Sequence, residues 1–280
     1  MKQSLRELLR VPHAPVSLAG YDSTATPMAS ASKGGKLRLP RGDAAKLAEF
    51  QERLFAEAAL GGQRSVLLVL QGMDTSGKGG TTDHVVRSMR PTGVRYTAFK
   101  APTDDERKHD FLWRIRLHTP AAGTVGVFDR SHYEDVLIVR VHDLVPPAEW
   151  ERRYDQINDF EAELAANGTT IVKCFLHISY DTQRERLLAR LDDPAKRWKF
   201  NEADIDERGH WSEYQAAYEA VLERCNKPAA PWYVIPADSK PYRNWAVGRI
   251  LLETLRELDP QFPQPDLDLD DLRARLQPPN

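Results

Sequence analysis

Five short apolar or β-branched runs punctuate the chain, and stretches with helical spacing separate them. SVLLVLQ at Ser65–Gln71 is a continuous apolar run of the kind a parallel strand buried on both faces shows. Similar runs lie at 94–99, 124–128, 169–178 and 232–235. Helical patterns occupy 81–90, 104–117, 148–166, 180–191, 205–224 and 242–258, with Asn167-Gly168 closing the third. Strands that alternate with helices predict an α/β protein, because each parallel connection must cross over the sheet and cover one of its faces. The expected architecture is a three-layer sandwich with a five-stranded parallel sheet.

Upstream of these runs, Leu47, Phe50, Leu54 and Phe55 form one stripe of a further helix, capped by Asp43 and ended by Gly61-Gly62. Residues 11–42 are rich in Pro, Ser, Thr, Ala and Gly, carry Lys33, Lys36, Arg38 and Arg41, and show little periodicity. The chain therefore divides into an irregular arm (1–42), a main domain (43–260) and an acidic tail (261–280) with a short terminal helix. With 39 Lys+Arg against 41 Asp+Glu the net charge is −2, which offers nucleic acid or a membrane surface no global polycation. Hydrophobic residues make up 41% and charged residues 29%, which excludes disorder of the whole chain. No apolar run reaches the roughly 18 residues of a membrane span, and the N-terminus lacks a signal-like apolar core. Cys174 and Cys225 stand far apart and read as reduced thiols, so a cytoplasmic protein is expected.

The loop from Gln71 to Thr82 follows the first strand and opens a helix. Gly72, Gly77 and Lys78 keep the Gly-x-x-x-x-Gly-Lys spacing of a P-loop, where main-chain N–H groups, a helix N-terminus and a mobile lysine converge on phosphate oxygens. Position 79 is glycine where the usual loop has the Ser or Thr that ligates magnesium, which leaves Thr81 or Thr82 as substitute. Asp74, a carboxylate inside a loop built for anions, calls for a metal ion or a proton to accept. At the end of the run 124–128 come Asp129 and Arg130, an acid able to hold magnesium and a cation able to neutralise a transferring group. Ser131 and His132 are chain neighbours without a third orienting group, which does not make a hydrolase triad. His109, His118 and His142 lack the spacing of a zinc site.

A basic stretch follows, with Arg184, Arg186, Arg190, Lys196, Arg197 and Lys199 between two core strands. Arg186 and Arg190 share a helical face, and Asp206 and Arg208 extend the same surface. In a phosphoryl-transfer protein such an inserted segment, about 180–210, is where a lid would supply cations and exclude water.

QGMDTSGKGG, FDRSHYEDVLIVRVH, DPAKRWKF running into DIDERGHWSEY, and APWYVIPADSK together resemble the family-2 polyphosphate kinases over residues 47–258. The resemblance implies a P-loop kinase-like fold with a helical basic lid. It also implies reversible transfer of a phosphoryl group between inorganic polyphosphate and a nucleotide, with magnesium or manganese, by a homo-oligomer. It assigns catalysis to Asp74, Lys78, Asp129 and Arg130, with Asp74 and Asp129 on the metal. Phosphate binding falls to Gly72, Gly77, Gly79, Gly80, Thr81, Arg140, Arg190, Lys196 and Arg197, and the acceptor nucleotide to Glu134, Asp206 and Arg208. SHYEDVL with Glu134 resembles the members that accept both AMP and ADP, where diphosphate-preferring ones more often have Trp-Tyr-Asn or Trp-Tyr-Gly. The alternatives are a nucleoside monophosphate kinase with a triphosphate donor and a non-catalytic polyphosphate- or nucleotide-binding module. Two acids facing an anion argue against mere binding.

Overall fold

The structure, a computed structural model, describes residues 4–29, 37 and 39–276. Lys33, Lys36 and Arg38 of the basic cluster lie outside the described residues. The helices are α1 (Leu5–Leu9), α2 (Arg41–Ala59), α3 (Lys78–Val86), α4 (Trp113–Arg116), α5 (Ile138–Val141), α6 (Pro147–Ala166), α7 (Tyr180–Asp192), α8 (Ala203–Gly209), α9 (Trp211–Arg224), α10 (Lys240–Leu258) and α11 (Leu269–Arg275). The strands are β1 (Ser65–Gln71), β2 (Val94–Ala98), β3 (Val125–Asp129), β4 (Thr169–His177) and β5 (Trp232–Pro236).

All four strand pairings are parallel, in the order β2-β3-β1-β4-β5. Every residue of β1 is buried, as a continuous apolar run between two helical layers requires. From β1 the chain first winds toward β2 and β3, then crosses back to β4 and β5. Ligand crevices form at the C-terminal strand ends beside such a reversal. The glycine-rich loop leaves β1 there, and the register pairs Leu70 with Asp129, which sets the second acid next to it. The longest buried surface on a helix belongs to α10, which packs on α2 and α3.

Two predicted helices are broken in the structure. Residues 104–117 hold only a 3-10 turn (Glu106–Lys108) and the four-residue α4. Thr103 and Glu106 cap each other there, and Asp110 accepts from the Leu112 N–H, so side-chain bonds compete with a continuous helix. The pattern over 205–224 splits into α8 and α9 at His210, whose ring packs 4.9 Å from His142. The helix at the start of the domain begins at Arg41 rather than being capped by Asp43; Asp43 lies in its first turn and pairs with Arg249 on α10 at 3.0 Å.

Leu5, Val11, Val16 and Leu18 are buried in the main core. The Val11 N–H donates to the Trp232 carbonyl at 2.9 Å, and Arg10 bridges Tyr233, so this segment covers the open edge of β5. Cys174 and Cys225 are free and buried. Among the described residues no helix is long and apolar enough to cross a membrane. Because Leu5 is fully enclosed, Leu5→Ala is expected to cost about 2–5 kcal/mol, read as a lowered midpoint in chemical denaturation.

Candidate active site

The loop after β1 depends on two backbone positions. Gly77 has φ +100°, and a Cβ there would fall 1.9 Å from an Arg243 guanidinium nitrogen. Gly72 has φ +149°, and its Cβ would sit 2.7 Å from the Leu176 carbonyl oxygen. The helix α3 starts at Lys78 without a side-chain cap, leaving its first N–H groups for an anion.

Behind the loop stand two cations that sequence reasoning did not assign to it. Arg243, on α10, donates to the Ser76 carbonyl at 2.8 Å. Arg186 donates to the Thr75 and Ser76 carbonyls (2.9 and 3.2 Å) and to those of Ala237 and Asp238 (2.6 and 2.8 Å). Among the described residues neither makes an ion pair; burial lowers the pKa of both, that of Arg243 to about 9 with Arg186 beside it, and the carboxylates of Asp238 and Glu185 partly offset this at Arg186. The only signal for Arg186 was its spacing of four from Arg190; Arg243 has none.

Two cavities open at this end of the sheet. The larger, about 710 Å³, is lined by Gly77, Lys78, Gly79, Gly80, Asp129, Arg190 and Lys199. The smaller, about 210 Å³, is lined by Gly72, Glu134, Asp204, Glu207, Tyr214 and Tyr218. Asp74 and Arg130 line both and form the partition between them, joined by an ion pair of 2.9 Å. One cavity is therefore cationic and the other carries an excess of carboxylates.

Burial raises the Asp74 carboxyl, but Lys78 and Arg130 outweigh it and hold the group below the usual aspartate range. Burial and then Arg130 push the Lys78 ammonium down, opposed by Asp74 and Asp129; its Nζ donates to the Gly72 carbonyl at 2.7 Å. Burial lifts Glu134 above the ordinary glutamate value against the pull of Arg130 and Lys78. With its amide turned to suit both neighbours, Gln71 donates to Glu134 Oε1 at 3.1 Å and accepts from Ser131.

Other expected residues stand elsewhere. Thr81 donates its hydroxyl to Asn244 at 3.2 Å and does not line the larger cavity, whereas Thr82 does. Arg140 lies over the Trp150 ring at 4.8 Å and donates to Tyr154. Lys196 pairs with Asp193 at 2.6 Å, and Arg197 donates to the Leu191 carbonyl at 2.8 Å, both exposed at the rim of the basic segment. Arg208 stacks on Tyr180 and donates to its carbonyl at 2.7 Å, and Asp206 is exposed; the neighbouring Asp204 and Glu207 line the smaller cavity instead.

Asp74 and Asp129 supply hard oxygen donors on the wall of the larger cavity, and Asp129 takes part in no ion pair among the described residues. Among those residues there is no group of three or more His, Cys, Asp or Glu able to hold a metal ion by itself. That set fits magnesium, which typically binds through one or two carboxylates and completes its shell with water and phosphate oxygens.

A glycine-rich loop opening a helix, a lysine within it and an acid on the adjacent strand end define a P-loop phosphotransferase. The sequence model of the family Polyphosphate kinase 2 matches residues 36–263, and the chain belongs to that family. It is 51% identical over 221 residues to the AMP/ADP-polyphosphate phosphotransferase of Meiothermus ruber, covering 79% of this chain and 81% of that one. It is 42% identical over 231 residues to the ADP-polyphosphate phosphotransferase of Rhodopseudomonas palustris, covering 78% of each. The crystal structure of Polyphosphate Kinase 2 from Arthrobacter aurescens superposes with a TM-score of 0.93 at 51% identity, covering 98% of this chain and 96% of that one.

Lys78→Ala and Asp129→Asn are each expected to lower phosphoryl transfer by ~10²-fold or more with circular dichroism unchanged. Because the folded carboxyl of Glu134 is raised, its charged form weakens the fold. Glu134→Gln should therefore melt above the wild type at neutral and alkaline pH. The gap should close as pH falls through the raised value toward the ordinary one.

Proposed function

We propose that this chain transfers a phosphoryl group from inorganic polyphosphate to nucleoside mono- and diphosphates, converting AMP to ADP and ADP to ATP reversibly. The observation that carries the reading is the shared partition: one ion pair, Asp74–Arg130, faces a cationic cleft on one side and an acidic cavity on the other. A polyphosphate chain suits the cleft of Lys78, Arg190 and Lys199. The acidic cavity suits the uncharged part of a nucleotide, whose amine and hydroxyl groups donate to carboxylates while Tyr214 and Tyr218 offer ring faces.

In this arrangement the attacking group is a nucleotide phosphate oxygen, already an anion at neutral pH, so the protein chiefly positions and neutralises. Lys78 and the first N–H groups of α3 hold the terminal donor phosphates. Arg130, held in place by Asp74, stabilises charge on the group in transfer as it crosses the partition. Magnesium or manganese, when bound by Asp74 and Asp129, would supply further neutralisation of phosphate oxygens. The unit that does this is 43–260, and 180–210 acts as the lid that brings Lys196 and Arg197 onto the polyphosphate, with Arg208 and Asp206 on its acceptor side. Two buried free thiols fit a reducing, cytoplasmic setting.

The test is product formation from AMP, and separately from ADP, with magnesium and long-chain polyphosphate as sole donor. ADP and ATP are the expected products. No product, with turnover restored by ATP as donor, would move the protein to the nucleoside monophosphate kinases. If Glu134 admits monophosphates, Glu134→Asn lowers the rate on AMP more than on ADP; equal loss on both would remove that assignment.

A further inference from the structure

Lys173 lies in the middle of β4, between Val69 of β1 and Trp232 of β5, and is completely buried. Its ammonium donates to the Tyr133 hydroxyl (2.8 Å), Glu161 Oε2 (2.5 Å) and the Cys225 carbonyl (2.7 Å), which uses all three of its protons. Glu161 Oε1 accepts from the Tyr133 hydroxyl at 2.7 Å and lies 3.2 Å from His132 Nε2, where burial keeps the imidazole neutral. A lysine and a glutamate inside a sheet protein are costly to desolvate, and well-packed apolar residues commonly replace such pairs without loss of stability. Stability alone does not account for this one.

Its position does. Tyr133 directly precedes Glu134, and Cys225 caps the end of α9, the helix that carries Tyr214 and Tyr218. Glu134, Tyr214 and Tyr218 are walls of the same acidic cavity. One ammonium thus anchors two walls that come from different parts of the chain. We propose that Lys173 and Glu161 are positioning residues that set the width of the acceptor cavity, holding Glu134 opposite Tyr214 and Tyr218. This rests on the reading of that cavity as the nucleotide side.

Two variants test it. Lys173→Met/Glu161→Gln removes both charges together, and Tyr133→Phe removes only the hydroxyl between them. For each folded variant, KM is measured for ADP and for polyphosphate, and the ADP dissociation constant is taken by calorimetry without donor. The double variant should raise the ADP constants about tenfold and leave the polyphosphate KM within about twofold, with Tyr133→Phe moving the ADP constants about threefold the same way. Unchanged ADP constants in folded Tyr133→Phe would overturn the proposal, as would a parallel change in both KM values and kcat. Should the double variant fail to fold, Tyr133→Phe decides. A wild type that binds ADP but takes no phosphate from polyphosphate would sink the functional reading instead, and the calorimetric comparison would still judge the positioning role.

Discussion

Positive charge gathered in one place repels itself, and a protein with a net charge of −2 must hold it there without letting its own carboxylates neutralise it. The structure meets this constraint with carbonyls. Arg186 and Arg243 are pinned behind the glycine-rich loop by main-chain oxygens, which bind a guanidinium firmly but carry no full charge to cancel it. The glycine at position 77 is what lets Arg243 come so close. Burial then makes each remaining cation more attractive to an anion, because the surroundings screen it less. At the cavities themselves a cation meets an acid at the partition, where the pair of Asp74 and Arg130 lines both, and at Arg190, which pairs with Asp204 at 3.1 Å.

Much of this was legible in the chain. A strand buried on both faces is mostly apolar, so SVLLVLQ and the runs of β3, β4 and β5 announced a covered parallel sheet, with β2 largely exposed at its edge, and the loop spacing announced a glycine-rich turn that opens a helix. The acid at Asp129 followed from its place at a strand end. What escaped was whatever depends on long-range packing. Arg243 reaches the loop from α10, over 160 residues later, and no local pattern distinguishes it from a surface arginine. Asp204 and Glu207 could not be told from Asp206 because a broken helix, not a continuous one, sets which of them faces inward. The Thr81 hydroxyl donates to Asn244 of α10, a contact that no local pattern shows.

The same difference explains the segment before α2. Its Pro- and Ser-rich composition carries no period, and an irregular path is what the described residues follow beyond α1. Irregular does not mean detached: the apolar side chains are few, but Leu5, Val11, Val16 and Leu18 all reach the core. Composition reports how regular a segment is, whereas burial depends on what it lies against.

That strap also bears on how the chain comes to be folded. Val11 bonds to Trp232, and Asn226 donates to the Val11 carbonyl, so this segment finds its partners more than 200 positions further along the chain. During synthesis the first apolar residues must wait, exposed or transiently paired, until β5 has left the ribosome. Contacts this distant along the chain close late and slowly. Until β5 is present the apolar residues of the strap have no sheet edge to cover, and apolar surface left exposed in that interval invites aggregation.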